Sequence, residues 1–260
     1  MSRFVILMYH MISEPRTTTE KRYACPPQQF EKHIQMLLDN NYTPISIDQV
    51  WNYYSENIPL PDKAVLISLD DGFEDNYLNA FPVFKRYNIP AIIYLASGVI
   101  GHINTWMVAP AFSQRKMLSW EQIKEMSNEG IQFGSHTVTH SQLDKLSNDE
   151  AYQELIDSKQ SIENHLGCEC SHFAYPFGLF NEHTQKLVSD AGYKTACSTR
   201  SGFNNAERNP LILHRIDVYG TDSAWKLKQK LTYGINNSSL FYPMRYVYNR
   251  LIEKTKNLMG

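Results

Sequence analysis

The chain reads as α/β, with short apolar runs alternating with longer amphipathic stretches over 260 residues. Three observations carry that reading. Runs such as AVLISL and PAIIYL are continuously apolar, as strands buried on both faces are. The stretches between them place apolar residues at helical spacing and several open on a Ser cap. Roughly seven strand-and-helix repeats fit the length. An α/β barrel is the first architecture this predicts, and a doubly wound open sheet is the second.

Residues 3–10 (RFVILMYH) form the first strand. Helices follow over 26–42, which stops at Asn40-Asn41, and over 46–57, which opens on Ser46. A strand over 63–72 ends in acid. A helix over 76–88 is perturbed at Pro82. After a strand over 90–97, a helix over 119–130 has a Ser cap and a closing Gly. The next strand, 131–136, leads to a long helix over 147–167 with Ser147 and Glu150 spaced as a capping box. Residues 172–178 are strand then turn, 181–193 a helix, and 194–199 and 211–218 two more strands. Helix 224–234 precedes an amphipathic tail containing Pro243.

Composition narrows the function classes. The net charge of −2, without a basic stripe, excludes polyanion or nucleic-acid binding as the main business. KLKQK (226–230) reads as a solvated helix face. Sixteen Tyr and four Trp suit stacking on sugar rings, and suit cores and interfaces equally. FVILM is too short for a signal h-region, and no stretch approaches a membrane span, so the expected location is cytoplasmic. Four cysteines, with Cys168 and Cys170 as C-x-C rather than C-x-x-C, predict free thiols.

Parallel α/β architectures place their chemistry at the C-terminal ends of strands. There the sequence puts Asp70-Asp71, His136 and His140, Tyr175 to Gly178, His214-Arg215 and His10. Histidines at i and i+4 lie on one face of a helical turn, close enough to share a metal ion. Two imidazoles and a carboxylate are a known catalytic zinc set, and they also suit other transition ions. One aspartate of the adjacent pair would complete the set while the other faces a water as base. Gly72 lets the chain turn tightly after them.

SLDDG, SHTVTH and AYPFG, followed by LILHRI, resemble the successive motifs of the polysaccharide deacetylase family. This is the NodB-homology domain of carbohydrate esterase family 4, and the resemblance covers roughly residues 3 to 220. Leu7 to His10 resembles the first strand of the branch containing the poly-N-acetylglucosamine deacetylases. The resemblance implies a distorted (β/α)7-type barrel and a divalent metal, usually zinc. It implies removal of an N-acetyl group from an N-acetylated sugar or polysaccharide, metal-bound water attacking the amide. Asp70 would be the general base, and Asp71, His136 and His140 the metal ligands. His214, in the hydrophobic-x-His motif, would be the general acid. Backbone donors around Tyr175 and Phe177 would hold the oxyanion, and His10 would contact substrate or the metal-bound water. The family's third motif carries an arginine that orients the base. This sequence lacks it there, and Arg215 is the proposed substitute.

The resemblance divides the chain into a catalytic domain, 1–220, and a C-terminal helical extension, 221–260, packed on it. The tail would dock on the barrel or lie on a membrane surface through Leu240, Phe241, Tyr242 and neighbouring Arg and Lys. An amide hydrolase of the same fold acting on a small cyclic imide or ureide is the alternative activity. Acetate release from chitooligosaccharides, set against ring opening of hydantoin-like compounds, separates the two.

Overall fold

A computed structural model describes residues 3–238. The elements run in chain order as β1 (Val5–Tyr9), α1 (Pro27–Asp39), β2 (Thr43–Pro44), α2 (Ile47–Ser55), β3 (Ala64–Leu69), α3 (Phe81–Tyr87), β4 (Ala91–Leu95), α4 (Trp120–Asn128), β5 (Gln132–Ser135), α5 (Asn148–Leu166), β6 (His172–Ala174), α6 (Glu182–Asp190), β7 (Thr195–Cys197), β8 (Ile216–Asp217) and α7 (Ala224–Tyr233). The parallel sheet has the order β7-β6-β5-β4-β3-β1-β8, with β2 added beside β3. It curls into a half-barrel flanked by helices. Leu213 bridges to Cys197 of β7 while Ile216 and Asp217 pair with Leu7 and Met8 of β1, so one short segment touches both ends of the curl.

Strand periodicity sorts the side chains into two cores. Val5, Leu7 and Tyr9, with Val65, Ile67 and Leu69, pack outward against the helices. Phe4, Ile6, Leu66, Ile92, Tyr94, Ala174, Cys197 and Leu213 fill the interior. Ile47, Val50 and Tyr53 of α2 join this inner cluster. The C-terminal strand ends are left for chemistry.

Local expectations hold at the caps. Ser46, Ser119 and Ser147 each form a capping box, and α5 ends on Gly167 at φ 70°. Three details differ. Residues 76–80 form a π turn, and Pro82 sits in the first turn of α3, where a missing N–H leaves no bond unmade. The strand expected over 211–218 begins as a 3-10 turn, Pro210–Ile212, and is ladder-paired only near its end. The two-residue strand β2 was too short to leave a periodic signal.

Among the described residues no helix is long and apolar enough to cross a membrane, and all four cysteines are unpaired. Helix α7 is tied to the barrel by Lys230, which is buried, donates to the Asp217 carbonyl at 2.7 Å and pairs with Asp222. The proposed membrane-facing tail lies outside the described residues.

Candidate active site

Asp70 and Asp71 are adjacent in sequence but have different neighbours. Leu66, Ser68 and Asp70 alternate along β3 and its end, which aims Asp70 at the barrel axis. There Arg215 grips it bidentately, Nη1 to Oδ1 at 2.6 Å and Nη2 to Oδ2 at 2.7 Å. The guanidinium is fully buried and also donates to Ser198 O at 2.9 Å. Burial pushes the Asp70 carboxyl up, but Arg215, followed by His136, outweighs it and holds the group below the usual carboxylate range.

Asp71 and Gly72 both have positive φ, 76° and 82°, so the chain swings sharply off the strand and Asp71 faces the two histidines instead. A Cβ on Gly72 would stand 2.7 Å from Leu95 Cδ2. Gly72→Ala is therefore expected to destabilise the fold by about 1–3 kcal/mol, through both strain and overpacking. Thermal unfolding of the variant measures it.

His136 and His140 are not brought together by a helical turn, as their spacing suggested. A bend with Thr137 at φ 67° and His140 at φ 60° does it. His136 Nδ1 lies 2.7 Å from the Ala174 carbonyl. As the donor there, it leaves Nε2 bare and oriented. Burial lowers the His136 imidazole to about 4, so the ring is neutral at physiological pH. The His140 ring stacks on Trp106 (4.5 Å, 20°) and meets Phe177 edge-on (4.6 Å).

Asp71 Oδ1 is 3.5 Å from His136 Nε2 and 3.3 Å from His140 Nε2, and it is buried without a hydrogen-bond partner. Ligand atoms about 2.0–2.2 Å from one tetrahedral ion lie about 3.3–3.6 Å apart. Both Asp71–histidine separations fall in that range and the three ligand atoms lie within 4.8 Å of one another, so the residues could hold one divalent ion, and one carboxylate with two imidazoles is a donor set zinc accepts.

These groups line a cavity of about 310 Å³ with His10, Tyr23, Trp106, Phe112, Tyr175, Phe177 and Asp217. His10 continues the inward alternation of Ile6 and Met8, and its Nδ1 is buried without a partner. Phe177 is half exposed at the rim.

Two expected site residues have surroundings other than their expected roles call for. His214 is not among the residues lining the cavity. Leu213 and Arg215 face inward, so the residue between them faces out. Its ring lies against Gly202, where a Cβ would come within 2.4 Å of His214 Nδ1. Tyr175 has no amide to offer an oxyanion, because its N–H donates to Cys197 O at 3.0 Å and its hydroxyl to Leu211 O at 3.1 Å. Pro176 lacks an N–H, and Gly178 N–H is bonded to Tyr175 O. Phe177, in the left-handed region at φ 59°, keeps the one amide of this turn with no described backbone partner.

The sequence reading missed the wall opposite. Loop residues Trp106, Met107 and Phe112 pack with Tyr23, whose ring lies 5.9 Å from that of Phe112, to form it. Buried Glu20 binds the two loops together, accepting from Arg16 N (2.7 Å), Ser113 N (2.7 Å), Ser113 Oγ (2.5 Å) and Arg115 Nη2 (2.5 Å). Burial raises the Glu20 pKa, but Ser113, Arg16 and Arg115 together bring it down to about 2. The long stretch without periodicity, 98–118, was the available signal, since such loops are commonly functional.

A family model described as polysaccharide deacetylase matches residues 57–196. YxkH of Bacillus subtilis (strain 168) is 32% identical over 217 residues, 84% of this chain and 72% of that protein. The poly-beta-1,6-N-acetyl-D-glucosamine N-deacetylase of Staphylococcus aureus (strain MSSA476) is 27% identical over 205 residues, 75% of this chain and 68% of that protein. The Streptococcus pyogenes deacetylase PplD, solved with acetate, superposes with a TM-score of 0.77 at 29% identity, covering 88% of this chain and 98% of that one. With the curled parallel sheet and the strand-end carboxylates and imidazoles already in view, the match over more than half the chain settles its kinship: the chain belongs to the polysaccharide deacetylase family.

Proposed function

We propose that the protein is a metal-dependent N-deacetylase that hydrolyses the acetamide of an N-acetylated sugar within a glycan. The observation that carries this is the division of labour between adjacent aspartates: Asp71 turned to two imidazoles, Asp70 left beside them in the grip of Arg215. Asp71, His136 and His140 would hold the ion. When bound, a divalent metal supplies Lewis acidity, polarising the acetamide carbonyl and making a water more acidic.

The chain's own residues supply the rest. Asp70 is ionised at neutral pH and accepts the proton of the attacking water. Arg215 fixes both carboxylate oxygens, so the base does not rotate away from the reacting centre. The Phe177 N–H is the candidate donor to the developing oxyanion. His10 replaces His214 as the group that protonates the leaving nitrogen, since it lines the cavity and has an unpartnered buried Nδ1. The products are acetate and a free amine. Phe177 and Trp106 offer aromatic faces to a sugar ring, and the half-exposed rim suits a glycan over a small cyclic ureide.

His10→Gln is expected to lower kcat about a hundredfold or more, while His214→Gln stays within about threefold of wild type. Steady-state kinetics on both variants checks this, and the reverse pattern would restore His214 as the acid. Acetate release from N-acetylglucosamine oligosaccharides, beside ring opening of hydantoin, tests the substrate class. Turnover of hydantoin alone would favour the small-amide activity.

A further inference from the structure

Between the two histidines the chain makes an unfavourable bend. Thr137 is β-branched and sits at φ 67°, and His140 sits at φ 60°. Such residues cost about 1–3 kcal/mol each and persist only where the surroundings over-determine them. On one side the surroundings are backbone: Ser97 N donates to Thr137 O at 3.0 Å and Gly98 N to Val138 O at 2.9 Å. Gly98 is required there, since a Cβ would lie 2.8 Å from that carbonyl. On the other side stands one carboxylate. Glu154, in the second turn of α5, accepts from Val138 N (2.8 Å) and Thr139 N (2.9 Å) through Oε2, and from Thr139 Oγ1 (2.7 Å) through Oε1.

We infer that Glu154 is a positioning residue for the metal centre. It touches no ligand atom, but it gathers the two amides between the ligating histidines and so fixes how far His140 stands from His136. Val138 and Thr139 N–H groups converging on one oxygen form a small anion-binding concavity, which the carboxylate fills and charges. Without it the bend relaxes toward unstrained backbone, and His140 Nε2 leaves its place 3.3 Å from Asp71 Oδ1. The apo fold persists, because α5 is held by its buried face, Ala151, Leu155, Ser158 and Ile162.

This inference rests on the metal reading of Asp71, His136 and His140, and zinc titration separates the two. The zinc affinity of the purified protein is measured by competition with a chromophoric chelator, and the melting temperature of the metal-free protein is measured beside it. Glu154→Leu is expected to raise the zinc Kd about 10–100-fold, with the apo melting temperature nearly unchanged. Glu154→Gln, which keeps an acceptor oxygen for the two amides, is expected to recover most of that loss. Thr139→Val, which removes one of the three bonds, should fall between Glu154→Leu and wild type, and serves if Glu154→Leu fails to fold. Wild-type zinc affinity in Glu154→Leu would overturn the inference, as would a lowered apo melting temperature with unchanged affinity. Failure of the wild-type protein to bind zinc would instead sink the metal reading itself.

Discussion

Asp70→Asn is expected to lower kcat by roughly 10³–10⁴-fold while leaving metal content unchanged. The amide is isosteric with the carboxylate but accepts no proton at neutral pH. The metal is retained because the Asp70 carboxylate is committed to Arg215 through both oxygens, and Asp71 supplies the ligand oxygen. Asparagine keeps one acceptor for Arg215, so the barrel should fold. Steady-state acetate release combined with metal analysis of the same preparation checks both halves. Normal acetate release by this variant would remove Asp70 from its role.

Arg215→Met carries the largest expected stability effect, about 3–5 kcal/mol. Methionine fills part of the volume but leaves Asp70 as a buried charge without its partner. The sign of the pH effect follows from the direction of the shift. Asp70's folded pKa is depressed, so the pair's stabilisation is present above the ordinary carboxylate value near ~4 and is lost as pH falls through the lower folded value. Removing Arg215 leaves burial as the dominant influence, and the Asp70 pKa rises. The acid limb of kcat/KM should therefore move toward neutral pH, and the variant's stability deficit should shrink on acidification as Asp70 protonates. Arg215→Lys keeps a charge but not the planar fork, so it should recover stability better than activity. Chemical denaturation across pH 4 to 8 and a pH–rate profile measure these effects. An unmoved acid limb in Arg215→Met would contradict the pairing's role.

Much of this was readable from the chain, for identifiable reasons. Buried parallel strands are apolar on both faces, so AVLISL and AIIYL stand out, and AVLISL runs straight into Asp70 and Asp71 at its C-terminal end. Arg215 as substitute for the missing third-motif arginine came from its position beside a strand end, and the structure places its guanidinium on both oxygens of Asp70. For His214 the short motif and period-two alternation point in opposite directions. Leu213, Arg215 and Asp217 share one face, which leaves His214 on the other. The same alternation, applied to Ile6, Met8 and His10, would have favoured His10.

Other parts left no local trace. Glu154 is one acid on the polar face of an amphipathic helix, indistinguishable there from its solvated neighbours. Trp106 and Glu20 belong to aperiodic loops whose meeting depends on the whole fold. The spacing of His136 and His140 predicted a shared face but not the left-handed bend that creates it.

Metal analysis of purified protein, wild type beside His136→Ala, tests the central claim most directly. One equivalent of a divalent metal per chain in the wild type, and close to none in the variant with the fold intact by circular dichroism, is the expected result. Equal metal content in the two proteins, or none in a folded wild type supplied with zinc, would show that Asp71, His136 and His140 do not form the centre on which the chemistry depends.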